Sequence, residues 1–92
     1  MKPEHVTPRN FELKEVLFNN TDFSVAYGYW EDTDWRVGLR WNGDGVDVGY
    51  PKVFGNPMWF ILEPALAVSF VAGLLGQPGA DKDKILQALQ VL

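Results

Sequence analysis

The sequence contains no cysteine, and this absence removes several classes of chemistry together. Disulfides, thiolate nucleophiles and thiolate metal sites are all excluded. Histidine is nearly absent too, because His5 is the only one and has no carboxylate cluster beside it. A single imidazole in such a setting indicates neither a zinc site nor a catalytic triad. We therefore predict no cofactor and no metal.

Basic residues are also scarce. Eight Lys and Arg are scattered among twelve Asp and Glu, which gives a net charge of −4. A protein that binds duplex nucleic acid needs a basic stripe to displace counterions from the phosphates. The chain cannot form one, so a nucleic-acid partner is not expected.

One long apolar run could suggest a membrane span. Residues 58–75 are eighteen positions with a single charge, Glu63. On an insertion scale that acid costs about 2.5–3.5 kcal/mol, which offsets most of the gain from the aliphatic and aromatic side chains. Pro64 disfavours insertion further. We interpret the run as a strand joined to a helix, expect no membrane partner, and expect a cytoplasmic location because the polar N-terminus lacks a signal peptide.

The length and composition suit one domain. The chain has 92 residues, 47% hydrophobic and 14% aromatic, which predicts a single folded unit over residues 1–92. Residues 1–9 contain two prolines among polar residues, and this predicts a loosely held N-terminal arm.

Alternation with a period of two predicts strands in the first half of the chain. It is clear over residues 23–30 and 35–41. Residues 11–18 fit both a strand and a helical turn, and a strand with a bulge near Lys14 and Glu15 is favoured because a turn cluster follows. The next loop leaves two registers open. Four loop residues would place Trp30 beside Trp35, whereas three would place Tyr29 there.

A second hairpin is predicted at Asn42-Gly43-Asp44-Gly45. This turn would fold residues 46–50 back on 35–41 and place Arg40 opposite Asp47 as an ion pair. The segment resembles a calcium loop only superficially, because its fifth position is Val46 and its glycine comes too early. Residues 58–62 are an apolar run of strand length, which predicts a further short strand.

Two helices end the chain. Pro64 suits the first position of a helix that runs to Leu75 and stops at Gly76. Asp81 is a good N-cap for the last helix. That helix has an apolar stripe made of Ile85, Leu86, Leu89 and Leu92. The predicted class is α+β, with an antiparallel β-meander of four to five strands packed with two C-terminal helices.

The first of these helices has no charged residue after Glu63. A surface helix normally turns a charged face to water, and a domain of this size can cover only part of this one. A second copy would cover the remainder, with a row of small residues allowing close approach. The interface candidates are Ala65, Leu66, Ser69, Phe70, Ala72 and Gly73.

The many aromatic residues give a second hypothesis, because not all of them fit inside so small a domain. Several on one sheet face could bind a small apolar or cationic ligand. The pocket candidates are Tyr27, Tyr29, Trp30, Trp35, Trp41 and Trp59. The alternative is that these rings form the core and the dimer interface.

No catalytic constellation stands out among the acids. The groups around Glu31 and Asp44 occupy turns expected at opposite ends of the meander. Glu63 follows five apolar residues, so it could be a buried acid, although a first-turn helix residue is favoured. We predict a protein without enzymatic activity.

Three short segments carry a resemblance. RWNG at 40–43, GYPK at 49–52 and GNPMWF at 55–60, with the junction at Glu63-Pro64, resemble short uncharacterised bacterial proteins. Such proteins often occur as stray genes on mobile elements, including integron gene cassettes. The likeness covers the middle third of the chain and implies a bacterial cytoplasmic protein, with no site carried over.

These observations together predict a non-enzymatic interaction module that forms a homodimer. The alternative function is a small-molecule-binding protein with an aromatic pocket for cationic or amphipathic ligands.

Overall fold

A computed structural model describes all residues from 1 to 92 and contains one main sheet, a small hairpin and two helices. A 3₁₀ turn at Pro3–His5 precedes the strands. The elements are β1 Phe11–Asn19, β2 Phe23–Trp30, β3 Asp34–Trp41, β4 Lys52–Val53, β5 Asn56–Pro57, β6 Phe60–Ile61, α1 Pro64–Ala72 and α2 Lys82–Leu89. No helix has the length and apolar content that crossing a membrane requires.

The main sheet is antiparallel, with strand order β1-β2-β3-β6. The hairpin β4–β5 is inserted between β3 and β6 and forms its own two-stranded sheet. Helix α2 packs on β1, and α1 packs on β3 and on α2. The predicted α+β class and the antiparallel meander with two C-terminal helices are confirmed.

Residues 11–18, which fit both a strand and a helical turn in the sequence, form strand β1. Its pairing with β2 shifts between Leu13 and Glu15, which confirms the bulge near Lys14. A second shift lies between Val16 and Phe18. Because a bulge adds a residue to one strand, the neighbours Leu17 and Phe18 both pack on the side of the sheet that carries the helices.

The hairpin between β2 and β3 has the shorter of the two predicted loops. Tyr29 pairs with Trp35 and Trp30 pairs with Asp34, so three residues connect the strands. Glu31 and Asp32 both have positive φ, at 49° and 56°, a conformation that Asp tolerates in turns. The register is thereby fixed for every aromatic residue on both strands.

Side-chain alternation in β2 and β3 divides the core into two clusters. The helical side holds Val25, Tyr27 and Val37 against residues of β1, α1 and α2. The opposite side holds Ala26 with Phe11, Trp59 and Val6. The sheet is therefore apolar on both faces, and each face needs a cover.

The N-terminal arm covers part of the second face, and it is held there at Pro3 and Val6 more closely than the prediction of a loose arm implies. Pro3 and Val6 are buried, and Val6 belongs to the second core cluster. The indole N–H of Trp59 donates to the carbonyl oxygen of Val6 at 2.8 Å. The arm is held because its apolar side chains are buried against the sheet. A single valine among polar residues gives little indication of this in the sequence.

The second predicted hairpin is also wrong. Residues 43–49 form a loop, and only Tyr50 pairs with Trp41. Arg40 does not meet Asp47 but lies opposite Ser24 in β2 and is 1% exposed. Its guanidinium donates to the carbonyl oxygens of Val48, Pro51 and Met58. A buried cation needs such acceptors, and a paired β-ladder would have used some of them.

Burial has a second effect on this arginine, since desolvation lowers the pKa of Arg40 below its ordinary value. Its Nε atom is buried without a hydrogen-bond partner. Gly49 lets the loop approach, because a Cβ there would lie 2.7 Å from Arg40 Nη2 and 2.0 Å from the Trp41 carbonyl oxygen. Arg40 thus anchors the segment from Val48 to Met58 to the sheet.

Both helices begin where the sequence predicts, but α1 ends at Ala72 and not at the predicted Leu75. After Ala72, Leu74 and Leu75 bond to carbonyls three residues back, so the chain continues as turns to Gly76. Asp81 is confirmed as an N-cap, because its Oδ1 accepts from Lys84 N at 3.1 Å. The predicted stripe on α2 is wrong at Leu86, which is exposed while Ala88 is buried.

Replacing Arg40 with Met is expected to lower the free energy of unfolding by about 2–4 kcal/mol, because three buried carbonyls lose their donor. Arg36→Met is the matched control, four residues earlier on the same strand and face, where the arginine is only half-buried. It should change stability by less than about 1 kcal/mol. Urea unfolding measures both, and equal stability of the Arg40 variant and the parent would contradict the anchoring role.

Val6→Ala tests whether the arm belongs to the core. We expect a loss of about 2 kcal/mol from the removed methyl groups and the cavity they leave. Val46 is fully exposed, so Val46→Ala should leave stability unchanged. If the two variants unfold at the same urea concentration, the arm does not contribute to the fold as described.

Candidate functional site

The outward face of α1 carries no charged side chain. We define it as the exposed residues Ala65, Leu66, Val68, Ser69 and Ala72. Leu66 and Val68 are 55% and 50% exposed. The opposite side of the helix packs on the sheet through Ala67 and Val71.

Most of the predicted interface candidates lie on this side of the helix, and one does not. Ala65, Leu66, Ser69, Ala72 and Gly73 are exposed. Phe70 is a correction, because it is half-buried and packs against the core cluster. Val68, which was not among the predicted candidates, is exposed as well.

The rotation of α1 about its axis explains both differences. The helix turns the small Ala67 toward the sheet, so the large side chains beside it divide between core and solvent. Hydrophobic periodicity could not reveal this, because nearly every position on α1 is apolar or small and no charged residue marks the outer side.

Glu63 immediately precedes α1, and its side chain is exposed. Its side chain makes no capping hydrogen bond. The hypothesis of a buried acid depended on burial, so the structure removes the basis for it.

The six predicted pocket residues are not gathered in one place. Tyr27, Tyr29, Trp35 and Trp41 project from the helical side of the sheet, as the register of β2 and β3 shows. Tyr27 is buried, and its hydroxyl oxygen accepts from Gln87 Nε2 at 2.5 Å. Its ring lies 5.6 Å from that of Trp35. Tyr27 therefore belongs to the core.

Trp30 and Trp59 lie on the opposite side of the sheet. Trp59 is buried beside Phe11, with ring centroids 5.9 Å apart. The guanidinium of Arg36 lies 4.7 Å from the Trp30 ring centroid and donates to Asp34 at 2.6 Å. A hydrogen bond from Thr33, and then that from Arg36, lower the pKa of Asp34. The face of Trp30 is thus already occupied by a cation of the chain itself.

A different set of aromatic residues lines a small cavity where β3 meets the segment before β4. We call it the aromatic cavity; its volume is about 190 Å³. Its apolar lining consists of Phe23, Leu39, Trp41, Tyr50, Pro51 and Phe60, and Arg40 is the one charged residue. Trp41, Tyr50 and Phe60 are 57%, 66% and 58% exposed.

Strand pairing builds this cavity. Trp41 pairs with Phe23 on one side and with Tyr50 on the other, and Leu39 pairs with Phe60. The rings of Phe23 and Trp41 meet edge to face at 4.7 Å. Of these residues only Trp41 was among the six predicted. Sequence reasoning missed Tyr50 and Phe60 because their positions depend on long-range pairing, although both flank turn signals.

Polar side chains elsewhere serve the fold. The Ser24 hydroxyl donates to Asn42 Oδ1 at 2.7 Å, and Asn42 Nδ2 donates to the Thr21 carbonyl oxygen at 2.8 Å. This buried network ties β2 and β3 to the turn between β1 and β2. No group of three or more His, Asp or Glu side chains is placed to hold a metal ion.

Acrylamide quenching of tryptophan fluorescence tests the exposure of Trp41. Trp41 is the one exposed tryptophan, so Trp41→Phe should lower the Stern–Volmer constant of the protein. Trp59→Phe is the contrasting variant, because it removes a buried and weakly quenched ring. Unchanged quenching in the Trp41 variant would contradict the geometry of the cavity.

Comparison with known proteins adds no relative. No protein-family model, curated protein or solved structure matches the chain. The resemblance to short bacterial proteins of mobile elements stays a prediction.

Proposed function

We propose that the chain is a non-enzymatic interaction module that forms a homodimer through the outward face of α1. One observation carries the proposal: this face exposes Leu66 and Val68 around a row of small residues and has no charged side chain. Apolar area that is removed from water contributes roughly 25 cal/mol per Å². A surface helix without a charged side is therefore most stable when another surface covers it.

The shape of the face suits a two-fold contact. Ala65, Ser69 and Ala72 form a shallow strip along the helix, with Leu66 on one side and Val68 on the other. In an isologous pair each helix would lay its larger side chains beside the partner's strip. Small residues let helix axes approach to about 8 Å, the near end of the usual range.

The size of the face limits the affinity. A nine-residue helix is about 13 Å long, and its outward side is smaller than the roughly 800 Å² per partner of a standard interface. We therefore expect a dissociation constant on the order of 10–100 µM. Each copy carries a net charge of −4, so added salt should strengthen the dimer by screening repulsion.

Small-molecule binding is the second candidate function, and the aromatic cavity is the observation that favours it. Its volume of about 190 Å³ lies below the roughly 300–1,000 Å³ of typical ligand pockets. No carboxylate lines it to hold a cation. The cavity is thus small for a ligand site, and for this reason the dimer is the main proposal.

Ser69→Glu tests the dimer directly. Two glutamates would face each other near the two-fold axis. Their repulsion should raise the dissociation constant of the dimer at least about tenfold. Gln90→Glu is the matched control, because it adds the same charge at an exposed position that follows α2. Light scattering after size exclusion measures the mass of both variants and the parent over a dilution series.

Melting curves check that both variants fold. We expect that they do, because each substitution lies at an exposed position. A parent protein that stays monomeric at several hundred micromolar, or a Ser69 variant that dimerises like the parent, would refute the proposal.

A further inference from the structure

A second cavity lies along the part of β3 that β6 does not reach. We call it the edge pocket; its volume is about 380 Å³, within the roughly 300–1,000 Å³ of typical ligand sites. No residue of the outward face of α1 lines it. We propose that the edge pocket binds a small, uncharged ring compound that contains a cyclic amide, as uracil does. The proposal goes beyond self-association and does not depend on it.

The strand pairing leaves backbone hydrogen-bonding groups open in this part of β3. Leu62 N donates to the carbonyl oxygen of Val37 at 2.8 Å, so Val37 directs its backbone groups away from β2. In an antiparallel strand this direction repeats at every second residue, so Trp35 directs its N–H and C=O the same way. There β6 has ended, because it pairs only with residues 38–39, and Pro64 has no N–H to donate. No hydrogen bond joins Trp35 to a neighbour across this edge.

The lining shows that the open edge forms one wall of the pocket. Five consecutive residues of the chain, 33–37, line it. Successive side chains of a strand point to opposite faces, and those of Asp34 and Arg36 project from the face that carries Trp30. A cavity that touches all five residues therefore runs along the backbone. The opposite wall is formed by residues from the first turns of α1 and from beyond α2, namely Pro64, Ala67, Val91 and Leu92.

The edge pocket has no free charge. Asp34 and Arg36 are the charged residues of its lining, and they pair with each other at 2.6 Å. The Arg36 guanidinium also lies over the Trp30 ring, on the other face of the sheet. An ionic ligand would lose its hydration here without meeting an opposite charge. The pocket therefore favours an uncharged ligand.

The geometry of the open pair selects the kind of polar group that the ligand needs. The N–H and C=O of an extended residue point to the same side of the strand. A ligand that bonds to both must also direct a C=O and an N–H to one side. An open-chain secondary amide is trans and directs these groups to opposite sides, whereas a small ring holds the amide cis. A cyclic amide therefore matches Trp35.

An extended peptide also pairs with a residue of this kind, but the neighbouring groups disfavour it. Thr33 N already donates to the carbonyl oxygen of Trp30 at 3.0 Å, and the carbonyl oxygen of Val37 accepts from Leu62. A strand added at this edge would gain one hydrogen-bonded pair, at Trp35. Strand addition depends on a longer series of main-chain bonds, and it orders a flexible chain. A small molecule makes the same two bonds without that loss of entropy.

The apolar remainder of the lining favours a flat ring around the amide. The rings of Tyr29 and Trp35 meet edge to face, with centroids 5.2 Å apart. Val91, on the opposite wall, is 44% exposed although it is apolar. A flat heteroaromatic ring would cover these surfaces while its amide edge reaches the backbone of Trp35.

Uracil is the probe, and two methylated forms are its matched controls. 1-Methyluracil keeps one ring N–H between its carbonyls, whereas 1,3-dimethyluracil has the same flat ring and no N–H donor. In titrations of ¹⁵N-labelled protein, uracil and 1-methyluracil should shift the backbone amide resonance of Trp35 with similar affinity. The dimethyl compound should bind at least about tenfold more weakly, because it leaves the carbonyl oxygen of Trp35 without a donor.

Hydrogen exchange tests the open edge without any ligand. The amide of Trp35 should exchange with solvent faster than that of Leu39, which pairs with Phe60 in β6. Saturating uracil should slow the exchange at Trp35. A Trp35 amide as protected as that of Leu39 in the free protein would mean that the edge is closed, and this would overturn the proposal.

Two substitutions locate the binding site. Val91→Glu places a charge in the apolar wall and should weaken uracil binding at least about tenfold. Val53→Glu is the matched control, because it makes the same change at a valine of similar exposure, 51% against 44%, outside the pocket. It should bind uracil as the parent does. The Ser69→Glu variant should do so too, whatever becomes of the dimer.

Four other outcomes also overturn the proposal. They are the absence of a shift at Trp35 with millimolar uracil, equal affinity for uracil and 1,3-dimethyluracil, equally weak binding of the two methylated forms, and equal affinity in the Val91→Glu and Val53→Glu variants. A uridine oligonucleotide that binds more tightly than uracil would assign the pocket to a nucleic acid and overturn the proposal as well.

Discussion

A sheet that is apolar on both faces must be covered twice, and this chain has little material with which to do it. Helices α1 and α2 cover one face, packing Val37 and Tyr27 beneath them. The N-terminal arm and the residues around Trp59 cover the other. Two short helices cannot hide their own outer sides as well as the end of the sheet. The outward face of α1 and the aromatic cavity are two of the parts that remain uncovered, and both candidate functions follow from this shortage.

Arg40 is the polar element in this arrangement. Its side chain projects from β3 toward the face that the arm covers, with the guanidinium 5.9 Å from the Trp59 ring centroid, and it gathers carbonyls from the long connection to β6. The connection therefore lies against the sheet, although its only regular structure is a hairpin whose two strands have two residues each. The same anchoring places Tyr50 and Pro51 beside Trp41, so a structural arginine on one face helps to build a cavity on the other.

Much of the fold could be predicted from the sequence, because its signals are local. Alternation placed β2 and β3, a turn cluster favoured a strand for β1, and Asp81 marked the start of α2. The predictions that were wrong depended on distant partners. Nothing near Arg40 in the sequence indicates that its acceptors lie up to eighteen residues away, and nothing near Val6 indicates its contact with Trp59. For the candidate site, the helix was predicted but its rotation was not, since an uncharged helix has no polar side to mark the outside.

The central claim is that the outward face of α1 meets the same face of a second copy. An isotope-filtered NOE experiment on an equal mixture of ¹³C-labelled and unlabelled protein tests this most directly. The account predicts intermolecular NOEs from the methyl groups of Ala65 and Ala72 to Leu66 or Val68 of the other copy, growing stronger with protein concentration. Methyl groups on α1 that show NOEs only within their own chain, in a concentrated sample, would contradict it.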